Sequence, residues 1–100
     1  MSVTQRQCRV YGLLCRLAAS AGFADLQEDL GSGNAPRVVL ASPRRAALRD
    51  IYTVRPNGTV SCTVQRASST DFRLVDPTPE AIEASVRRSA RELLGKEAKS

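Results

Sequence analysis

The sequence predicts an α+β fold in which a helix, a three-stranded antiparallel meander and a second helix follow one another (αβββα), with both helices on one face of the sheet. Three observations predict it: amphipathic helical stripes near both ends, alternating apolar and polar residues in the middle, and the turn sequence Arg-Pro-Asn-Gly-Thr at 55–59. A chain of 100 residues has the size of one domain, so we expect 1–100 to form a single small α+β domain with frayed termini at 1–2 and 96–100.

The turn at 55–59 fixes the register of a hairpin. Pro56 presets φ for the first corner of a type I turn, and Gly58 accepts the left-handed conformation that closes a three-residue loop. That loop predicts these cross-strand pairs: Val54 with Val60, Tyr52 with Cys62, and Ile51 with Thr63. A two-residue loop would place Val54 opposite Ser61 and mix apolar and polar residues on each face, so the three-residue loop is favoured.

A first helix is predicted at the N-terminus. Ser2 or Thr4 can cap it, and each is followed three residues later by a glutamine, as in a capping box. Gly22 suits the position after the last turn, where Phe23 can fold back as the hydrophobic contact of a Schellman motif. The apolar stripe of this helix comprises Val10, Leu13, Leu14, Leu17, Ala18 and Ala21.

The second helix has clear start and stop signals. Thr78 is a favourable N-cap, Pro79 suits the first helical position, and Glu80 lies near the positive end of the helix dipole. Gly95 ends the helix. Its buried stripe is predicted to contain Ile82, Val86, Ala90 and Leu93, with Leu94 beside it.

Between the helices, one strand is predicted at 37–41 and the two hairpin strands near 47–55 and 59–66. Residues 24–36 are assigned to a connector, with two alternatives: a short helical turn, from the spacing of Phe23, Leu26 and Leu30, or a short strand through Leu26. The polar loop at 66–71 is followed by 72–75, an extended segment expected to return the chain to the core. Asp50 falls among the apolar positions of its strand, which indicates either the end of the sheet or a β-bulge.

Positive charge is concentrated around the predicted sheet. The formal net charge is +5, and six arginines lie between Leu30 and Arg66 with Asp50 as their one acidic counterpart. This excess favours an anionic partner surface, although arginine is also common in chains from GC-rich genomes. The solvated face of the hairpin is predicted to carry Arg49, Ile51, Thr53, Arg55, Thr59, Ser61, Thr63 and Gln65.

Little in the residue inventory favours catalysis. The chain has no histidine, so it lacks an imidazole base and a histidine-activated nucleophile. Cys8, Cys15 and Cys62 fall on apolar stripes without CxxC spacing, which predicts buried structural thiols and no zinc site. Free thiols suit a reducing cytosol, and no export signal or membrane span is recognised. We therefore predict a cytoplasmic, non-enzymatic protein without cofactor or metal.

The predicted order of elements resembles the topology of double-stranded RNA-binding domains. In those domains a basic cluster of the Lys-Lys-x-Ala-Lys type opens the last helix and contacts phosphate. Here that position holds Pro79, Glu80 and Glu83, and the basic residues come later in the helix: Arg87, Arg88 and Arg91. The resemblance ends at topology, and no RNA-binding residue is carried over to this chain.

Two binding functions remain. The first is a protein-binding adaptor or inhibitor that docks a macromolecular partner on its basic open sheet face or on a free strand edge near Val38 and Val39, where a homodimer can also form. Its size would suit accessory proteins of phages or mobile elements. The alternative is binding to the backbone of duplex nucleic acid, since aromatic residues, at 4%, are too scarce to favour base stacking. For either partner the predicted binding residues are Arg44, Arg45, Arg49, Arg55, Arg66, Thr53 and Thr63.

Overall fold

Two helices and five strands make up the protein in a computed structural model that describes residues 4–23, 27–29, 35–45 and 47–95. Their bounds in chain order are α1 (Gln5–Ser20), β1 (Gln27–Asp29), β2 (Arg37–Ala41), β3 (Arg49–Val54), β4 (Val60–Gln65), β5 (Thr70–Val75) and α2 (Pro79–Leu94). The termini predicted to fray and the alternative strand position at Leu26 lie outside the described residues. The predicted α+β class is confirmed.

The sheet is antiparallel throughout and has five strands in the order β1-β2-β3-β4-β5, so the prediction of three strands was wrong. The two missed strands lie at its edges. β1 consists of three polar residues and shows no apolar alternation. β5 does alternate, with Phe72 and Leu74 following Asp71 and Arg73, but its large apolar side chains face away from the core, and the sequence predicted only an extended segment there. With five strands the sheet also departs from the three-stranded order that resembled RNA-binding domains.

The additional strands change which edge of the sheet is free. The edge predicted near Val38 and Val39 is covered, because β1 pairs with β2 along Gln27–Val39 and Glu28–Val38. β2 is therefore an interior strand. The outer strands of the described sheet are β1 and β5.

The hairpin between β3 and β4 has the predicted register. Arg55 donates its backbone N–H to Thr59 at 2.9 Å, and Gly58 donates to Arg55 at 2.8 Å with a φ of 90°, which closes the three-residue loop. The strands pair Val54 with Val60, Tyr52 with Cys62, and Ile51 with Thr63, as predicted.

Helix α1 begins and ends as its sequence indicates. Thr4 is the N-cap, and it forms a reciprocal capping box with Gln7. At the other end, Phe23 donates its backbone N–H to Ala18 at 3.1 Å, which is the long bond of a Schellman motif. Gln7 has a second role that the sequence did not reveal, because its buried amide donates to the carbonyl of Val54 at 3.0 Å and joins α1 to the hairpin.

Helix α2 has Thr78 as N-cap, Pro79 at its start and Gly95 as C-cap, as predicted. Its stripe of Ile82, Val86, Ala90 and Leu93 is buried. Both helices pack against one face of the sheet, where they share a single core cluster with Val38, Leu40, Tyr52, Val54, Val60, Cys62, Val64 and Val75.

The three thiols have different environments. Cys62 is buried in this core, Cys15 is half-buried, and Cys8 is exposed, so the prediction of a buried thiol was wrong for Cys8. The reason is position on α1: the buried face of that helix runs through Val10 and Leu14 and leaves Cys8 outside it. Within the described residues, neither helix has the length and apolar character needed to cross a membrane.

Candidate docking face

The face of the sheet opposite the helices, which we call the open face, is built from alternate residues of β2 to β5. Strand register arranges its side chains in rows across the sheet. The central row runs from Val39 through Ile51 and Thr63 to Phe72, and the two flanking rows are Ala41, Arg49, Gln65, Thr70 and Arg37, Thr53, Ser61, Leu74. Because β-strand side chains alternate between faces, none of these residues shares a side with the core under the helices.

The central row of the open face is apolar and ends at exposed residues. Val39 and Ile51 are half-buried, whereas Phe72 is 59% exposed and Leu74, on the same face of β5, is 71% exposed. The prediction that 72–75 returns the chain to the core is wrong for Phe72 and Leu74, because Val75 is the residue of this segment that is buried in the core. Adjacent large apolar side chains exposed on one face are typical of an interaction surface.

Basic side chains lie on both sides of this apolar row, toward the two ends of the strands. Arg44 and Arg45 are exposed in the loop after β2, where their backbone N–H groups both donate to the Ser42 hydroxyl at 3.3 Å. Arg49 lies at the same end of the sheet, and Arg55 is exposed just beyond the opposite end of β3. The strand between Arg49 and Arg55 spans roughly 20 Å. The predicted arginines therefore form two separate groups.

Arg49 is held in place by its neighbour. Its Nε and Nη2 donate to Oε1 of Gln65 at 3.1 and 2.8 Å, across the register pair that joins these residues. At the opposite end of the sheet, Arg37 faces Thr53 across the β2–β3 pair, beside Arg55. Sequence reasoning had not included Arg37 in the surface.

Thr53 and Thr63 both lie half-buried on the open face, as predicted. Thr63 stands in the central row between Ile51 and Phe72, and Thr53 pairs with Ser61 in the next row. Their hydroxyl groups can each donate and accept a hydrogen bond within an otherwise apolar strip.

Arg66 does not belong to the open face. Its guanidinium pairs with the buried carboxylate of Asp50 at 2.9 Å and with Glu92 of α2, on the side of the sheet that the helices cover. Partial burial alone would lower the pKa of Arg66, but the hydrogen bonds that it donates to the two carboxylates raise it. Burial alone would raise the pKa of Glu92, but the hydrogen bonds that it accepts from Arg66 and Arg88 outweigh burial and lower its pKa.

Asp50 is the centre of this buried cluster. It marks no bulge and no sheet end, because it pairs regularly with Leu40 and Val64 in the interior of the sheet. Its side chain is fully buried, and it accepts hydrogen bonds from Arg66 and from the hydroxyl of Ser89. A buried carboxylate with these partners stabilises the docking of α2 on the sheet.

The hydroxyl of Tyr52 extends the same cluster. It lies 2.7 Å from the Ser85 hydroxyl and 2.8 Å from that of Ser89, one turn apart on α2. Burial, with smaller contributions from Cys62 and Asp50, raises the pKa of Tyr52 to about 12. Burial and the nearby carboxylate of Asp50 raise the pKa of Cys62 to about 11. Both groups are protonated at neutral pH, and the Tyr52 hydroxyl links β3 to Ser85 and Ser89 of α2.

A shallow groove of about 400 Å³ runs between β5 and α2, and it opens at the edge of the sheet. Arg73, Ser85 and Arg88 are among the side chains that line it. Nη2 of Arg73 is buried there without a hydrogen-bond partner. A guanidinium N–H in that position is unusual, because a buried donor normally has an acceptor.

Besides Arg37, sequence reasoning missed the buried cluster and the exposed residues of β5. The cluster had a signal: Asp50 stands at an apolar position, which was interpreted as a sheet end or a bulge, and Ser85 and Ser89 stand four residues apart on α2. The exposure of Phe72 and Leu74 had none, because it depends on β5 pairing at the edge of the sheet. In the described part of the chain, no group of three or more histidine, cysteine or acidic residues could hold a metal ion.

No protein-family model, curated protein or solved structure matches the chain. The functional conclusion therefore depends on the geometry of the open face.

Proposed function

We propose that this chain is a small binding protein that docks a protein partner on its open face. The observation that supports it most is the pair of exposed apolar side chains on β5: Phe72 ends the central row of Val39, Ile51 and Thr63, and Leu74 lies beside it in a flanking row. An apolar strip of this kind gains free energy when a partner covers it, at roughly 25 cal/mol per Å² of apolar surface removed from water. Its polar neighbours then decide which partner fits.

The two arginine groups define the chemistry of that partner. A surface with apolar side chains in its centre and carboxylates at both ends would match the central row and the flanking guanidinium groups, because arginine binds carboxylates through paired hydrogen bonds. The residues we assign to the surface are Arg44, Arg45, Arg49, Arg55, Thr53 and Thr63 from the sequence prediction, joined by Arg37, Val39, Ile51, Phe72 and Leu74. Arg66 is left out, since its guanidinium is engaged by Asp50 and Glu92.

Duplex nucleic acid remains the alternative partner. The net charge of +5 and the exposed Arg44, Arg45 and Arg55 favour it. The apolar centre of the face favours a protein, because phosphate contacts need a continuous basic surface. The two proposals predict opposite results in a titration with random duplex DNA and RNA at about 50 mM and about 200 mM salt: a protein-binding chain shows no salt-sensitive complex, whereas a duplex-binding chain loses affinity steeply.

The protein-docking proposal is tested by Ile51→Glu, at the centre of the face and away from the sheet edge. The full chain and the variant are used to isolate partners from the cells that express it, and the recovered proteins are quantified by mass spectrometry. We expect the variant to lose at least tenfold in recovery of the specific partner, because a buried carboxylate in the apolar strip has no counter-charge.

The matched control is Arg9→Glu, an exposed position on α1 far from the open face. It should retain the partner, and circular dichroism should show that both variants melt as folded proteins. Equal recovery by the wild type and Ile51→Glu, with loss in Arg9→Glu, would place docking on the helical side and contradict the proposal.

A further inference from the structure

The outer edge of β5 presents a regular set of backbone groups. The β4–β5 hairpin closes with a 2.8 Å bond from the N–H of Arg66 to the carbonyl of Ser69. Hydrogen-bonded pairs in an antiparallel ladder then recur at every second residue, so Asp71 and Arg73 direct their backbone groups toward β4. The N–H and C=O groups of Thr70, Phe72 and Leu74 consequently point to the outer edge of β5, where no strand of the described residues pairs.

The sequence of this edge is complementary to itself in one antiparallel register. A two-fold axis through Phe72 places Phe72 opposite Phe72 of a second copy and Thr70 opposite Leu74 of that copy, all with outward-facing backbone groups. The same axis places Asp71 opposite Arg73 of the second copy. The two Asp71–Arg73 pairs are non-hydrogen-bonded pairs, in which side chains approach most closely. Opposite charges therefore meet on both sides of the axis.

Neighbouring registers lack this match. An axis through Asp71 sets two aspartates directly opposite each other, and an axis through Arg73 does the same with two arginines, which destabilises the pair. An axis through Leu74 pairs Phe72 with Asp76, which lies outside the strand. Charge and strand length therefore select the register centred on Phe72.

The side chain of Arg73 adds a second, independent observation. Its Nη2 is buried in the groove beside α2 with no hydrogen-bond partner, while Asp71 is exposed. In the Phe72-centred register, Asp71 of the second copy comes to the same side of the sheet as Arg73 and next to it. It supplies the acceptor that the guanidinium lacks within one chain.

From these observations we propose that two copies of the chain pair through β5, with Phe72 on the two-fold axis, into one continuous antiparallel sheet. The axis is perpendicular to the sheet, so the helices of both copies lie on one side. The two open faces then join across the paired Phe72 residues, which extends the apolar row from one copy into the next. The inference concerns the edge of the sheet and does not depend on the proposed protein partner of the open face.

The test measures the oligomeric state of the full chain by sedimentation equilibrium from about 10 to about 500 µM. We expect a dimer for the wild type. In a dimer of Asp71→Arg, an arginine would face an arginine in both 71–73 pairs, and in a dimer of Arg73→Asp an aspartate would face an aspartate. Each variant should therefore be monomeric in the same concentration range. Arg9→Asp, which alters charge on α1 by the same amount as Arg73→Asp, should remain dimeric.

An equimolar mixture of the two monomeric variants gives the sharpest result. In a mixed pair, both arginines of one chain face both aspartates of the other, so we expect a heterodimer to form although neither variant associates alone. The double variant Asp71→Arg/Arg73→Asp should likewise dimerise. Recovery in the mixture also shows that both single variants are folded.

A wild-type chain that stays monomeric throughout the range would overturn the proposal and identify Asp71 and Arg73 as charges that keep an edge strand unpaired. A dimer that both single variants retain would also overturn it, because the charges would then not define the contact. These variants lie on the helical side of β5, so either failure leaves the proposed docking on Ile51 and the open face intact.

Discussion

Asp50 is buried in the interior of the sheet, where its carboxylate accepts hydrogen bonds from Arg66 and Ser89. Its place among apolar positions of a strand already indicated an exception to the pattern. The role of Asp50 depends on Ser89 and Arg66, whose side chains reach its carboxylate from α2 and from the end of β4. No local pattern joins residues so far apart in the chain, so the partners of Asp50 could not be predicted.

The first prediction concerns that carboxylate. Asp50→Asn keeps the shape of the side chain but removes the charge that pairs with Arg66. Arg66 keeps its ion pair with Glu92, but the amide accepts through one oxygen only and cannot satisfy both Arg66 and Ser89 as the carboxylate does, so we expect a loss of about 1–3 kcal/mol in the free energy of unfolding. Urea denaturation measures it, with the exposed Asp76→Asn as a control that should change stability by less than about 0.5 kcal/mol. An unchanged midpoint for Asp50→Asn would contradict the structural role of the cluster.

The second prediction concerns pH and the Cys62 thiol. Burial raises its pKa from 9.0 to about 11, so the unfolded chain loses this proton before the folded chain does. The associated stability is complete below pH 9 and declines as the pH rises from 9 through 11. Across this window the stability difference between the wild type and Cys62→Ala should shrink by about 2 kcal/mol, as followed by denaturation at several pH values. Parallel stability curves for the two proteins would show that Cys62 does not titrate differently on folding.

At the scale of elements, helix ends and the central hairpin were predictable because each depends on a few adjacent residues. Thr4 and Thr78 cap the helices, and Gly58 closes the loop that sets the β3–β4 register. The edge strands β1 and β5 were not fully predicted. β1 has no apolar residue, and the alternation in β5 indicated only an extended segment, because Phe72 and Leu74 lie on the open face and not under the helices.

The third prediction compares two glycines. Gly58 has a φ of 90°, and a Cβ there would lie 2.3 Å from Cδ of Arg6, whereas Gly95 has a φ of 68° with nothing within 4 Å. Gly95→Ala should therefore cost about 1 kcal/mol from backbone strain alone, and Gly58→Ala about 2 kcal/mol or more because Arg6 must also move. Thermal unfolding of both variants measures the difference. Equal losses would mean that the contact of the hairpin loop with α1 contributes nothing.

At the scale of the whole molecule, the sheet separates structure from binding. Its helical side holds the core and the Asp50 cluster, and its open side presents an apolar row between two arginine groups. Sequence alternation predicted which side of the hairpin faces water, and with it the position of Arg49, Thr53 and Thr63. The exposure of Phe72 and Leu74 could not be predicted, because it depends on the pairing of β5 with β4 at the edge of the sheet.

The fourth prediction separates stability from binding on the open face. The double variant Arg49→Glu/Arg55→Glu should lose partner recovery at least tenfold while its melting temperature falls by no more than about 4 °C, because surface charges contribute little to folding. Arg9→Glu/Arg16→Glu makes the same change of charge on exposed positions of α1 and should keep the partner. Should the first variant unfold instead, these arginines would be structural.

Site-specific photo-crosslinking tests the central claim, that a protein partner covers the open face, most directly. A benzophenone side chain is placed in turn at Thr53 and Thr63 on the open face, and at Arg9 and Arg87 on the outer faces of the helices, in cells that express the full chain. The account predicts that the two threonine positions form the same specific crosslinked species and that the two helix positions do not. Crosslinks from Arg9 or Arg87 alone would show that the partner binds the helices, and would contradict it.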